Sequence, residues 1–497
     1  MLENFLAGMQ MFSHPQNYLA IFLGVGIGIF IGAIPGFTGA MGVALALPFT
    51  FYLHPITAIL FLVGIYKGAI YGGSITAILI KTPGTPAAAC TVLDGYPMAK
   101  KGQAGKALGM ALYASVVADF VSNLSLILLA APIASFALRF GPPEFFALIT
   151  FSLTIIAGVS GKSLIKGIIA GGLGLIAATI GLDSVYGSTR FAFESVNLMG
   201  GLNFIPVLIG LFAIPEILNE FGKRQGVRPK VFDLGQQRLR LSEFKRSLKT
   251  IIRGSIIGVI IGAIPGIGGA PAAFLSYNEA KRGSKHPDTF GQGEIEGVAA
   301  AESGNNGVCG ATLIPLLTLG VPGDVITAIL LGAFMIHDLK PGPILFQKNI
   351  DVIYGIFVGI MLSSIAMLII GKFSIRLFSR IGKVPVSFLF PAVLVLCVYG
   401  TYAVDNKMFD ILVMLVMGLI GYFMLLFEIP PAPFLIAFIL GPMFEDNMRR
   451  SLLLSKGDPV IFFRTAICWV FLGLTVLSIW LIVQRNLRGR KETRGSS

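Results

Sequence analysis

Residues 302–307 read Glu302-Ser303-Gly304-Asn305-Asn306-Gly307, one carboxylate and two carboxamides lying between apolar runs. In apolar surroundings such a set offers oxygen ligands for a sodium ion or a site that takes up a proton. Turn chemistry at Asn306-Gly307 is the competing reading. Asp119 and Asn123 are one helical turn apart in the apolar run 107–138 and so share a helix face. Asp119 is a second candidate for a coupling ion, with a structural bond to a neighbouring helix as its equal alternative. Lys67, beside Gly68, could pair with a carboxylate ligand or with Asp119, but a lysine in an apolar run reads first as one that snorkels to the membrane interface.

The second chemical signal is proline next to glycine. Residues 32–36 and 262–266 both read Gly-Ala-Ile-Pro-Gly, within the longer matches GIGIFIGAIPGFTGA (26–40) and IGVIIGAIPGIGGA (257–270). Pro35 and Pro265 remove a backbone donor, and Gly36 and Gly266 tolerate positive φ, so neither segment continues a helix. The freed N–H groups at the start of the next half-helix, around Thr38 and Gly39 or Gly268 and Gly269, form an anion site without a charged side chain. Lys81-Thr82-Pro83-Gly84-Thr85-Pro86 and Leu319-Gly320-Val321-Pro322-Gly323-Asp324 have the same character, and Ser74 extends the polar face leading into the first. Two such hairpin tips meeting across a pseudo-two-fold axis would enclose a small polar pocket. A packing kink at each proline, or a glycine-packed helix crossing at Gly72, Gly73 and Ser74, is the structural alternative.

No catalytic constellation accompanies these motifs. His14, His54, His286 and His337 are scattered, and no HExxH, GxSxG or GxxxxGK[ST] pattern occurs, which argues against an enzyme and against ATP bound to this chain as the energy source. Cys90, Cys309, Cys397 and Cys468 lack metal or redox spacing and read as buried apolar residues. No cofactor is expected beyond a possible Na+.

The elements that must hold these residues are transmembrane helices. Of 497 residues, 55% are hydrophobic and 13% charged, against roughly 25% charged in soluble proteins. The expected fold is an all-α polytopic membrane protein with roughly ten to twelve spans, some cut by Pro and Gly and too short to cross alone. An amphipathic segment at 1–17, with Leu2, Phe5, Leu6, Met9 and Phe12 at helical spacing, is expected to lie on the membrane surface. A first transmembrane repeat covers 18–218, a basic linker 219–250, a second repeat with additional C-terminal helices 251–484, and a basic tail 485–497. Lys223, Arg224, Arg228, Lys230, Arg238 and Arg240 mark the linker as cytoplasmic, and Arg485, Arg488 and Arg490 do the same for the C-terminus. The first 66 residues contain no Lys or Arg, which places the N-terminus on the periplasmic side. The net charge of +13 is therefore read as an orientation signal rather than as nucleic-acid binding. With those orientations the two repeats are inverted, each with broken or re-entrant helical hairpins, the arrangement of secondary transporters with a midplane site.

At these motifs the sequence resembles the TctA-type large membrane subunit of the bacterial tripartite tricarboxylate transporter family. The matching segments are GAIPGFTGAMGVALALPFTF (32–51), YGGSITAILIKTPGTPAAACTVLDGYPMAKKGQAGKAL (71–108), GLFAIPEIL (210–218), GAIPGIGGA (262–270) and ESGNNGVCGATLIPLLTLGVPGDVITAILLGAF (302–334). Where the family typically reads Pro-Glu-Ala-Ala-Asn-Asn-Ala, this chain has Ala301 to Gly307, losing the proline but keeping the acid and both amides. The resemblance implies an inner-membrane uptake system in which this permease works with a small four-span membrane subunit and a periplasmic solute-binding protein. It implies an organic acid as substrate and a sodium or proton gradient as driving force. Elevator-like movement is the expectation from the repeats and hairpins. A passive anion channel or pore lined by the same breaks is the alternative.

Overall fold

The computed structural model describes residues 2–34, 36–159, 163–183, 187–222, 238–378 and 386–495. Pro35 of the first break, and Lys223, Arg224, Arg228 and Lys230 of the linker, lie outside the described residues. Along the chain run α1 (Leu2–Gln10), α2 (Pro15–Gly32), α3 (Gly39–Ala46), α4 (Pro55–Ile80), α5 (Val92–Lys100), α6 (Ala104–Ala137), α7 (Pro142–Val159) and α8 (Leu164–Ala178). A short antiparallel pair, β1 (Gly181–Leu182) and β2 (Thr189–Arg190), precedes α9 (Val196–Met199), α10 (Phe204–Phe212) and α11 (Ile214–Gly222). Then follow α12 (Leu241–Gly262), α13 (Gly269–Gly283), α14 (Ile295–Asn306), α15 (Val308–Ala311), α16 (Leu313–Leu319), α17 (Val325–Ile336) and α18 (Leu345–Lys348). The last are α19 (Ile350–Phe378), α20 (Val386–Asp405), α21 (Met408–Leu426), α22 (Pro431–Leu454) and α23 (Ala466–Gly495).

Among the described residues, six helices (α2, α4, α6, α19, α21 and α23) are long and apolar enough to cross a membrane. Six further apolar stretches are 10–17 residues long. At about 1.5 Å per residue these are shorter than a hydrocarbon core of about 30 Å. The chain is an all-α polytopic membrane protein.

The helices form two compact units. One comprises residues 1–134, 216–264 and 268–400, and the other 135–215, 265–267 and 401–497. In the second, α8, α10, α21 and α22 close a core of Ala170, Val207, Leu211, Met417 and Phe434. Arg449 there bonds both Asp183 at 3.0 Å and Glu445 at 2.6 Å, and Arg190 joins Glu445 at 2.8 Å, so the β-pair is tied to α22.

The first unit is built around α4, which is apolar nearly all round and almost wholly buried, as a central helix must be. Gly24, Gly28 and Gly32 of α2 face Gly64, Gly68 and Gly72 of α4. A methyl group on Gly28 would stand 2.3 Å from the Ile65 carbonyl oxygen, and one on Gly68 the same distance from that of Val25. The backbones are in direct contact, which only glycine permits. The second repeat uses the same device at the matching place: Gly258 of α12 lies where a methyl would meet the Gly304 oxygen at 2.7 Å, and Gly262 against Val308 and Ala311. The glycine-packed crossing weighed from Gly72 and Gly73 is thus present, and it sets the helix spacing.

Packing sets the details at two of the expected elements. The amphipathic N-terminal helix α1 is seated on α19, where a methyl on Gly8 would meet the Tyr354 backbone at 2.6 Å. Its apolar stripe is divided accordingly: Phe12 is buried and Phe5 packs on the core, while Leu6 and Met9 remain about half exposed. Asn306-Gly307 makes no loop turn, because α14 runs through Asn306 and helical turns resume at Val308.

Replacing Gly28 by Ala forces the α2–α4 backbones apart, an overpacking cost of about 1–3 kcal/mol. Gly26→Ala changes the same helix where the nearest atom, Ile370 Cδ1, is 3.9 Å away. Thermal unfolding of the purified chain in detergent should show a lowered midpoint for Gly28→Ala and not for Gly26→Ala.

Candidate functional site

The two Gly-Ala-Ile-Pro-Gly segments end their helices alike. α2 stops at Gly32 and α12 at Gly262, and the following glycines, Gly36 and Gly266, take φ of 86° and 85°. The chain then re-enters helix at Gly39, behind the Thr38 cap whose hydroxyl accepts from Met41 N–H at 3.2 Å. In the second copy it re-enters at Gly269 behind Gly268, which offers no side-chain cap. The first-turn N–H groups of the 15-residue α13 are therefore left uncapped at Gly269 and Ala270.

The tips are also copies of one another. α4 ends on Lys81 and α16 on Gly320, both left-handed with φ of 61° and 72°. In each, the next N–H closes the helix on the carbonyl six residues back, Thr82 on Thr76 at 3.3 Å and Val321 on Pro315 at 3.2 Å. Thr85 and Asp324 then accept from the N–H three residues on, Ala88 and Thr327. Thr82 and Pro83 face outward, whereas Gly84, Thr85, Pro322 and Gly323 are buried. Gly84 is held between Gly32 and Gly73, its N–H bonded to the Gly73 carbonyl at 3.2 Å.

Breaks and tips converge within the first unit. A methyl on Gly268 would lie 3.6 Å from Asp324 Cβ, one on Gly269 2.9 Å from Asn305 Oδ1 and 3.4 Å from Ala87 Cβ, and one on Gly39 3.1 Å from Ile326 and Ala69. Pro265 and Gly266 belong to the second unit.

At its centre is Glu302 on α14, completely buried. One carboxylate oxygen accepts from Ser74 Oγ at 2.6 Å and from Thr91 Oγ1; the other accepts from Ser115 Oγ at 2.9 Å and Asn306 Nδ2 at 3.4 Å. Hydroxyls and an amide from α4, the start of α5, α6 and α14 thus offset its desolvation, and among the described residues no Lys or Arg pairs with it. Asn305 is 1% exposed and both ends of its amide lack a partner, as does Asn306 Oδ1. Leaving such groups unpaired costs about 1–3 kcal/mol each. The Asn305 amide faces the uncapped start of α13, where a methyl on Gly269 would meet its Oδ1.

Asp119 is elsewhere in the same unit, and its partner overturns the snorkelling expectation for Lys67. Lys67 is fully buried, because the Gly64, Gly68 and Gly72 face of α4 is pressed on α2 and the side chain is turned toward α6. Its ammonium donates to Asp119 at 3.0 Å, Asn123 at 2.9 Å and the Ile360 carbonyl at 2.9 Å, which uses all three protons. Ser364 adds a bond to Asp119 at 2.5 Å, and Asp119 Oδ1 keeps no partner. Asp119 is thus charge-compensated from within, while Glu302 is not.

Tyr66, Thr91 and Ser115 were missed as site residues by sequence reasoning, whereas Asp324 closes the second tip motif. Tyr66 donates to Asp324 at 2.8 Å. Ser115, Asp119, Ser122 and Asn123 recur at i, i+4, i+7 and i+8 on α6, a polar stripe that could have been found in the sequence. Thr91 had no such signal. Among the described residues no group of three or more His, Cys, Asp or Glu could hold a metal ion.

Duplicated helix breaks meeting around buried polar groups in a polytopic all-α protein are the construction of a membrane transporter. The chain belongs to the tripartite tricarboxylate transporter TctA family, whose pattern matches residues 18–436. Systems of this family combine a large membrane subunit with a small one and a binding protein. The chain is 36% identical over 496 residues, covering 99% of it and 98% of the relative, to an uncharacterized 52.8 kDa protein in the TAR-I ttuC′ 3′ region of Agrobacterium vitis. An uncharacterized protein in the TAR-II ttuC′ 3′ region of the same organism is 34% identical over 235 residues, 47% of this chain and 97% of that protein. No solved structure matches.

Lys67→Met leaves Asp119 buried without a cation, a loss of about 3–5 kcal/mol. The double variant Lys67→Met/Asp119→Asn removes both charges and should recover most of the lost stability, read as the unfolding midpoint of the purified chain.

Proposed function

We propose that this chain is the large permease subunit of a binding-protein-dependent secondary active transporter that imports a tricarboxylate, dicarboxylate or related organic acid. The observation that carries the reading is the uncapped N-terminus of α13 facing the unpartnered, buried amide of Asn305. Helix N-termini bind carboxylates through free N–H groups and the helix dipole. Thr38 and Gly39 at α3, with Ser74, Gly84 and Thr85 of the first tip and Gly320, Pro322 and Gly323 of the second, complete the proposed walls. Asp324 caps α17, so that helix start contributes shape rather than anion binding.

Charge supports coupling to a cation. Among the described residues Glu302 and Asp324 enter no ion pair, and Lys81, the basic residue of the tip motifs, lies near the Tyr96 ring at 5.8 Å. An organic anion brought beside two acids needs cations with it. A sodium ion or a proton held by Glu302, Asn305 and Asn306 would supply one, with Asp119 Oδ1 a more distant oxygen. Inverted repeats moving in an elevator-like cycle would carry the site between a periplasmic binding protein and the cytoplasm, with the small four-span subunit alongside in the inner membrane.

The test is uptake into proteoliposomes containing this chain, the small subunit and the binding protein, using labelled di- and tricarboxylates under imposed Na+ or H+ gradients. Accumulation should require the binding protein and one gradient, and Glu302→Gln should abolish the gradient dependence. Downhill flux indifferent to both would overturn the reading in favour of a passive anion channel.

A further inference from the structure

A cavity of about 120 Å³ opens between α12, from Arg246 to Ile257, and the C-terminal half of α13, with Glu296 of α14 on its wall. It has room for several waters at roughly 30 Å³ each, and so for a phosphate group. Arg246, Lys249 and Arg253 line it, spaced i, i+3 and i+7 so that one face of α12 presents all three cations. The acids on its wall are engaged: Glu296 accepts from Thr250 at 2.7 Å, and Glu279 pairs with Arg282 at 2.7 Å. Arg246 stands 3.6 Å from Glu294. Lys249 and Arg253 form no ion pair and no hydrogen bond among the described residues, and both are exposed. Arg253 reaches over the end of α13, where a methyl on Gly283 would lie 3.4 Å from its guanidinium.

The apolar surface beside the cavity tells what kind of anion fits. Ile252, Ile256 and Ile260 continue along α12 from Lys249 at one-turn spacing, 39%, 50% and 58% exposed, and Phe274 and Leu275 of α13 are exposed as well. A free phosphate would use the cations and leave this stripe uncovered. We propose that the cavity binds the phosphate of an anionic phospholipid, whose acyl chains lie along Ile252, Ile256 and Ile260. Basic pockets between membrane helices hold anionic headgroups in this way. The site is independent of the transport reading.

The full chain, purified in detergent with equimolar phosphatidylglycerol and phosphatidylcholine, is examined by native mass spectrometry for retained lipid. Phosphatidylglycerol should be retained over phosphatidylcholine, and Lys249→Gln/Arg253→Gln should lower that preference roughly ten- to thirty-fold. The charge-matched control Lys340→Gln/Lys348→Gln should leave it unchanged. In the unaltered protein the preference should fall as ionic strength rises, a readout that needs no variant. Millimolar inorganic phosphate should not displace the lipid; displacement would show a free oxyanion site and overturn the lipid assignment. Equal retention by the two double variants, or a preference indifferent to salt, would overturn the site.

Discussion

Backbone-to-backbone contact between α2 and α4, and its copy between α12 and α14–α15, is the constraint on which the rest of the first unit depends. Where carbonyl oxygens of one helix occupy the place of side chains on the other, the two helices can slide or rotate very little. Every other face of α4 is then directed by default. Lys67 must point toward α6, Tyr66 toward Asp324, and Ser74 toward Glu302. Without lipid or water to satisfy them, those polar groups have to find partners among themselves.

The duplicated halves share a skeleton but differ in how they handle charge. Lys67 precedes the left-handed residue of its tip by as many residues as Asn306 precedes Gly320 in the second copy. At the first position an ammonium is covalently attached and saturated by three acceptors. At the second stands an amide whose oxygen has no partner, beside a carboxylate met only by hydroxyls and amide nitrogen. Similar buried frames thus hold a closed ion pair in one half and an open acid in the other.

Legibility in the sequence followed how local each cause was. The breaks were readable because proline and glycine act on their own backbone, and Gly36 and Gly266 take the positive φ that their motifs imply. The helices of the apolar runs were readable for the same reason. Lys67 read first as a snorkelling residue, with Asp119 as its alternative partner, because that partner lies 52 residues away and the local pattern around Lys67 is an apolar run. Thr91, whose hydroxyl meets Glu302 across 211 residues of chain, shows the same limit. The Asn306-Gly307 dipeptide carries a real local turn preference, yet packing against Ser255 and Gly258 of α12 keeps that stretch helical.

The pairing of Lys67 with Asp119 also has an electrical meaning. A membrane voltage does work of about 2.3 kcal/mol per 100 mV on each elementary charge carried fully across. The buried Lys67–Asp119 pair is a small dipole with no net charge, so displacement of its surroundings through the field costs almost nothing on its account. Among the described residues Glu302 has no such tethered counter-charge, so the voltage acts on that half of the protein according to the charge that Glu302 itself carries.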